Sequence, residues 1–343
     1  MQNGSHRIDY SVAIPAYGDP RLLADTLRHA LAQRRPEDMK WEILVNDDGS
    51  EPPLEAVLGE FRGRVRFERN AQRQGWPENW NKTLEKARGT WVHMLHSDDL
   101  VHEGFATKMW ELIRKYPQAA YLHSKCASRV LKQPAFGRLY SRLRSGGQSK
   151  DAEEAARVYR KGVEAARHAL SQGVRIVTIV VRRDAAMSIA GFRKELWSMA
   201  DEEYVVRLAN VGDVVYCPQA LCTYTYHSAQ YSLSTWLEPD FLPDYLHVHE
   251  EGLKALGPGA NDVDREAIHW RVACVACGVA RARALAGNLS LARETLDDAV
   301  RLSPKIEETT LFRHSKRIVN NRAVRFLYRC LIVGGKPKNA GGA

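Results

Sequence analysis

The chain has 343 residues, 44% hydrophobic and 27% charged, with a formal net charge of +9. That size and balance suit one large globular domain or two and exclude a disordered or collagen-like chain. No run of about 18 apolar residues occurs, which excludes a spanning helix, and the six scattered cysteines form no disulfide framework.

The polar stretch Met1 to Asp9 lacks the apolar core of a signal peptide, and with the cysteine pattern it predicts a reducing, cytoplasmic setting. Tyr10-Ser11-Val12-Ala13-Ile14 reads as a short buried strand ending in Pro15-Ala16-Tyr17-Gly18. Leu23, Leu27, Ala30 and Leu31 then recur at helical spacing. Trp41 to Val45 is a second strand, closing on Asn46-Asp47-Asp48-Gly49-Ser50. Asn70 to Gly75 follows, then a helix that starts at Trp76-Pro77-Glu78-Asn79 and carries Asn81 and Leu84. Ala87-Arg88-Gly89 leads into Trp91 to Leu95, an apolar run that stops at His96-Ser97-Asp98-Asp99. Adjacent carboxylates past the carboxyl end of a strand sit where open α/β sheets place their ligands. They repel unless a cation shares them, and oxygen donors of this kind suit Mg2+ or Mn2+ beside a substrate's phosphates. An isolated Asp-Asp would instead read as a solvated turn or helix cap.

Phe105, Met109, Leu112 and Ile113 predict the next helix, and Tyr121-Leu122-His123 begins another strand. Alternation of this kind predicts a mostly parallel sheet with helices on both faces. Between 126 and 173 a basic, glycine-containing link with Arg138, Arg142, Arg144, Gly146 and Gly147 precedes a charged helix over Asp151 to Leu170. Val174 to Val181 reads as a buried strand ending in Arg182-Arg183. Gly191-Phe192, Asp201-Glu202-Glu203, Arg207-Leu208, Gly212 and Tyr224-Thr225-Tyr226-His227 come after it.

In this order and at these spacings the segments resemble the family 2 glycosyltransferases of the GT-A fold, over roughly residues 8 to 232. The resemblance implies a Rossmann-like, mostly parallel α/β sheet flanked by helices in a domain over 8–236, with a helical insertion at about 130–173. It also implies an inverting transfer from a nucleotide diphosphate sugar, most often UDP-linked, to a saccharide or lipid-linked acceptor in cell-surface polysaccharide or glycolipid synthesis. On the matching positions, Pro15, Ala16 and Tyr17 line base and ribose, Asp47 or Asp48 bonds the base, and Asn81 orders the ribose-phosphate region. Asp99, assisted by Asp98 in the donor site, holds Mn2+ or Mg2+, and His227 completes the metal's shell. Asp201 is the general base, with Glu202 the alternative if the loop is re-registered. The chain departs from the pattern at His96, where the family often has Asp, at Ala200, where an acid is usual, and at Thr225, in place of an Arg. The departures at His96 and Ala200 keep open a non-catalytic adaptor built on a degenerate transferase fold. A sugar nucleotidyltransferase is disfavoured, because Pro15 to Pro20 lacks a glycine-rich loop with Arg or Lys.

From about 237 the chain is helical and alanine-rich. Ala276 to Pro304 resembles one tetratricopeptide repeat, with Ala280, Gly287, Ala292, Leu296, Ala299 and Pro304 at its small, turn, apolar and proline positions. One repeat cannot stand alone, so 237–308 reads as a docked helical hairpin, or less readily as a peptide-binding scaffold. Cys274-x-x-Cys277 within it reads as small buried helix residues rather than a zinc pair. After Glu308 no acidic residue occurs, while Arg313, Lys316, Arg317, Arg322, Arg325, Arg329, Lys336 and Lys338 supply nearly all of the net charge. Interleaved with Phe312, Ile318, Phe326 and Leu327, they make 309–343 a basic amphipathic tail. It predicts either an interfacial helix on an anionic membrane, peripheral on its cytoplasmic face, or a helix packing its apolar face on the protein. No nucleic-acid partner is expected.

Overall fold

The computed structural model describes residues 7–131, 155–196, 199–227, 235–257 and 261–333. They fall into two compact units, one holding 7–127, 155–196, 199–225 and 255–257, the other 128–131, 226–227, 235–254 and 261–333.

The first unit is built on a sheet. Strands β1 (Tyr10–Ala16), β2 (Trp41–Asp47), β3 (Arg66–Arg69) and β4 (Trp91–Met94) pair in parallel in the order β3-β2-β1-β4. Both faces of β1 are covered, as its uninterrupted burial requires. Helix α1 (Pro20–Leu31) covers it with Leu23, Leu27 and Ala30; Asp19 caps its start by accepting from the Arg21 amide, and Pro20 sits in the first turn. Helices α2 (Trp76–Lys86) and α3 (Phe105–Lys115) complete the alternation, and Phe105, Met109, Leu112 and Ile113 are all buried. Between β1 and β4 the strand order reverses, which opens a crevice at the carboxyl ends of these strands.

The expectation of a mostly parallel sheet holds only for that half. Past β4 the order continues β8-β6-β9-β5, with β7 on β9, where β5 is Leu100–Val101, β6 Tyr121–Val130, β7 Arg157–Tyr159, β8 Ile179–Arg182 and β9 Val214–Tyr226. The registers of β8 on β4, β6 on β8, β5 on β9 and β7 on β9 are antiparallel, so the sheet is mixed. Apolar periodicity reports that a segment is a strand but not which way it runs.

Two local expectations are also corrected. Of the helix predicted over Asp151 to Leu170, residues up to 154 lie outside the described residues. The rest is β7 followed by helix α4 (Val163–Gln172). Asp213 holds the intervening turn, accepting from the Lys161 amide at 2.8 Å and from Arg160 at 2.7 Å, and Gly162 turns the chain at φ 91°. The strand predicted over Val174 to Val181 starts only at Ile179. Before it, the Val177 carbonyl is taken by His93 Nε2 at 2.8 Å and by the Cys222 thiol, while Thr178 folds back on Arg175 in a 3-10 turn. Helices α5 (Arg183–Ser188) and α6 (Ala200–Ala209) close this unit.

The second unit is helical. Helix α7 (Phe241–Ala255) precedes α8 (Asp262–Ala286) and α9 (Leu289–Leu302), which form the predicted hairpin about Gly287, at φ 101°. Ala276, Ala280 and Ala284 of α8 and Ala292, Leu296 and Ala299 of α9 are buried. Cys274 and Cys277 lie on α8 as free thiols. Two further helices, α10 (Thr310–Asn320) and α11 (Arg322–Val333), make up the basic tail, and no described helix is long and apolar enough to cross a membrane.

Candidate functional site

The parallel strands deliver the predicted residues to one rim. Pro15 and Ala16 pair with Asn46 and Asp47 in register, the Asp48 amide donates to the Ala16 carbonyl at 2.8 Å, and the Leu95 amide donates to Ala13. Tyr17, Asp47, Asp48 and the His96–Asp99 turn therefore stand at the carboxyl end of three neighbouring strands.

The two Asp pairs on that rim differ in chemistry. Asp47 is fully buried and saturated: it accepts from the Ser50 amide at 3.0 Å, the Leu54 amide at 3.4 Å and the Arg69 guanidinium at 2.9 Å. Asp48 is equally engaged, accepting from Asn70 Nδ2 at 2.8 Å and from the amides of Gln74 and Gly75 at 2.9 and 3.0 Å. Behind it Asn46 and Asn70 both donate to Asn79, a buried polar network that fixes the Asn70–Gly75 loop. Both carboxylates thus order the loops that frame the crevice, and neither is a bare acceptor awaiting a base.

Asp98 and Asp99 are different. Asp99 is fully buried; its Oδ1 accepts the Thr225 amide at 2.7 Å, and its carbonyl accepts the Thr26 hydroxyl at 2.9 Å. Its Oδ2 pairs with His96 Nδ1 at 3.0 Å and meets no other donor among the described residues, and His96 Nε2 has no hydrogen-bond partner. Burial and the neighbouring Asp98 charge raise the Asp99 carboxyl above its ordinary value, against the pull of His96 and the Thr225 amide. Burial opposes protonation of His96, but the charges of Asp99, Asp98 and Asp201 outweigh it and hold His96 above the ordinary imidazole value.

Asp201 joins this group. It lies in the first turn of α6 and accepts the Glu202 amide at 2.9 Å. Burial, then the Glu202 charge, push its carboxyl up to about 6, and His96 is among the charges that act on it. Of its acidic neighbours, Glu203 is committed to Arg207, which also binds the Gly191 carbonyl at 2.7 Å. The Arg-Leu signal of the sequence is therefore a clamp on the Gly191-Phe192 loop.

Asn81 belongs to the same clamp rather than to an open donor site. Its Nδ2 donates to the Phe192 carbonyl at 2.8 Å and its Oδ1 accepts the Phe192 amide at 2.7 Å, so both ends of the amide are spent on the loop. A Cβ at Gly191, which sits at φ 67°, would collide with that Oδ1. Tyr17, by contrast, is 48% exposed, with the Arg73 guanidinium 4.0 Å from its ring centroid. His227 is the residue after β9 and falls in the helical unit.

A divalent cation fits the carboxylate turn. Among the described residues, one ligand atom each from His96, Asp98 and Asp99 lies within 4.8 Å of the others, and His227 is not a member of that group. The fully buried Asp99 Oδ2, which meets no donor but His96 among the described residues, is the second sign, since a buried carboxylate oxygen short of donors is costly. In the sequence His96 stands only as a departure from the family's Asp, whereas its ring joins the cluster from three residues before Asp99, and Trp80 packs against it with ring centroids 4.7 Å apart. The place of Trp80, and of Arg73 over Tyr17, had no signal in the sequence.

Residues 11–153 match the model of a family described as Glycosyl transferase family 2. The chain is 27% identical over 219 residues to an uncharacterized protein of Mycobacterium tuberculosis, covering 62% of this chain and 65% of that one. It is 25% identical over 147 residues to an uncharacterized glycosyltransferase of Mycoplasma genitalium, covering 39% of this chain and 48% of the relative. The chain thus spans less than two thirds of the length of these curated relatives. Among solved structures, S. aureus TarS in complex with UDP-GlcNAc superposes with a TM-score of 0.57 at 14% identity, over 88% of this chain and 92% of that chain. The mannosyltransferase PcManGT from Pyrobaculum calidifontis, in complex with GDP-Man and Mn2+, does so with a TM-score of 0.55 at 14% identity, over 94% and 87%. At that identity the likeness is one of fold, and the fold is GT-A.

Proposed function

We propose that this chain, whose residues 11–153 match the model of glycosyl transferase family 2, transfers a sugar from a nucleotide diphosphate sugar to a hydroxyl of a saccharide or lipid-linked acceptor. The observation that carries this reading is the meeting of a fully buried carboxylate, Asp99, whose Oδ2 faces His96 at 3.0 Å and meets no other donor among the described residues, with a carboxyl of raised proton affinity, on Asp201. Neither is what a purely structural turn would hold, and both speak against a non-catalytic adaptor.

Asp98 and Asp99, with His96 beside them, would hold Mn2+ or Mg2+. Such an ion, when bound, supplies a Lewis acid that neutralises the departing diphosphate. The imidazole favours the softer Mn2+ of the two. Asp201 takes the proton from the acceptor hydroxyl as that oxygen bonds to the anomeric carbon. The bond from that carbon to the diphosphate oxygen breaks, and the nucleotide diphosphate leaves. A single displacement on one base inverts the anomeric centre. Tyr17, exposed at the end of β1 and backed by Arg73, offers a face on which the nucleobase stacks, while Pro15 and Ala16 form the floor beneath the ribose. Asp47 and Asp48 hold the loops around that floor. The neighbours in complex with UDP-GlcNAc and with GDP-Man support a nucleotide sugar as donor, and a UDP-sugar is the proposed one. Transfer takes place on the cytoplasmic side of the membrane, in assembly of a surface polysaccharide or glycolipid.

Thermal unfolding with UDP-, GDP-, dTDP- and CMP-sugars, each with and without Mn2+, tests this reading. A Mn2+-dependent rise with one nucleotide, abolished by Asp99→Asn, is the expected result. A folded chain that responds to none of them refutes it.

A further inference from the structure

The two helices of the basic tail have the same charge and opposite burial. Helix α10 buries Phe312, Ser315, Ile318 and Val319 and leaves Arg313, His314, Lys316 and Arg317 exposed. Its apolar face is thus spent within the helical unit. Helix α11 follows after the single residue Asn321 and keeps Arg322, Ala323, Phe326 and Leu327 exposed. Phe326 is 53% and Leu327 58% exposed, the highest values among the large hydrophobic residues described. Positions 323, 326 and 327 fall on one stripe at helical spacing.

This stripe is presented by a tethered helix. Arg325 of α11 reaches back to the carbonyls of Ile318 and Val319 at the end of α10, and Tyr328 meets His314 with ring centroids 5.5 Å apart. One face of α11 is therefore anchored while Ala323, Phe326 and Leu327 look outward. Four exposed cations, Arg313, Lys316, Arg317 and Arg322, lie within ten residues of chain, and no carboxylate follows Glu308 to offset them.

We propose that this surface docks the protein on an anionic lipid bilayer. A second copy of the chain would bring two sets of like charges together as it buried Phe326 and Leu327. A nucleic acid would meet the cations but offer no apolar medium to those side chains. The interface of an anionic bilayer answers both: its headgroups attract the cations, and its acyl boundary takes the Phe326 and Leu327 side chains. The proposal is independent of the sugar-transfer reading, because no residue of the carboxylate cluster enters it.

Flotation of the full chain with vesicles of phosphatidylglycerol and phosphatidylcholine, against phosphatidylcholine alone, is the test. Binding only to the phosphatidylglycerol vesicles, weakening as salt rises, is the expected result. The double variant Phe326→Glu, Leu327→Glu replaces exposed side chains, so its melting temperature should match the parent while its vesicle binding is lost. Arg317→Gln with Arg322→Gln should weaken binding about 25-fold, as each cation near such a surface contributes about five-fold. Three results overturn the proposal: no binding to anionic vesicles, binding indifferent to both variants, or tighter binding to duplex DNA than to vesicles. Light scattering that shows a dimer dissolved by the Glu pair would assign the stripe to a second copy instead.

Discussion

Two Asp-Asp pairs end neighbouring regions of the same parallel sheet, and they have been put to opposite use. Asp47 and Asp48 are surrounded by donors, from Ser50, Leu54, Arg69, Asn70, Gln74 and Gly75. Asp99, at the end of the other strand, has a single amide on one oxygen and only His96 against the other, in full burial and within electrostatic range of Asp98. A carboxylate saturated with donors stabilises loops. One left short of donors, among like charges, is held in readiness for a cation or a proton. The identical dipeptide thus builds the frame at one strand end and the chemistry at the next.

The largest test of that contrast removes chemistry without touching the frame. Asp201→Asn should lower kcat about 100- to 10,000-fold, the usual contribution of a general base. Its Mn2+-dependent stabilisation by the donor sugar should persist. If turnover survives and Glu202→Gln abolishes it instead, the base is one residue further along.

A smaller effect is expected on stability, with the opposite distribution. Asp47→Ala strips two amides and Arg69 of their acceptor and should cost about 3 kcal/mol in urea unfolding. Asp99→Asn keeps an acceptor for the Thr225 amide and removes a charge crowded by Asp98, at the cost of the ion pair with His96, so the metal-free protein should lose clearly less than Asp47→Ala does. Equal losses from both substitutions would erase the distinction drawn between the two pairs.

The gentlest probe is pH. Burial and Glu202 place Asp201 at about 6. A base acts only when deprotonated, so its raised value means that turnover is complete above that pH and falls as pH drops through it. The expected profile of kcat/KM has an acid limb near pH 6 with a tenfold loss per unit below it. A profile flat down to pH 4.5 would show that Asp201 is not the group that accepts the proton.

Much of the parallel half was legible in the sequence because its strands are short apolar runs closed by polar clusters, and its helices keep a regular stripe. Strand β3, Arg-Phe-Glu-Arg, was not, since on this half-buried edge only one of four residues is apolar. Strand β7 was read as helix because its three residues carry no period of their own, and partnership with β9 decides them. The antiparallel direction of the far strands is set by connections, which leave no mark on composition. In the site, the acidic residues were legible by type and spacing, but their occupancy was not. Whether Asp48 is sated by Gln74 and Gly75, or Asn81 spent on Phe192, depends on backbone groups that every sequence possesses.

Arg283 shows how the helical unit is closed. It is almost wholly buried on α8, donates to the Trp236 carbonyl at 3.1 Å and to the Glu238 carbonyl, and donates to the Thr295 hydroxyl at 2.7 Å. Its three backbone partners, the carbonyls of Trp236, Glu238 and Pro239, were made 47, 45 and 44 residues earlier. During synthesis those carbonyls leave the ribosome several seconds ahead of the arginine that satisfies them, at typical rates of about 5–20 residues per second. Closure of the helical unit therefore waits for its later part, and a chain cut short before Arg283 would leave those carbonyls without the donor that satisfies them.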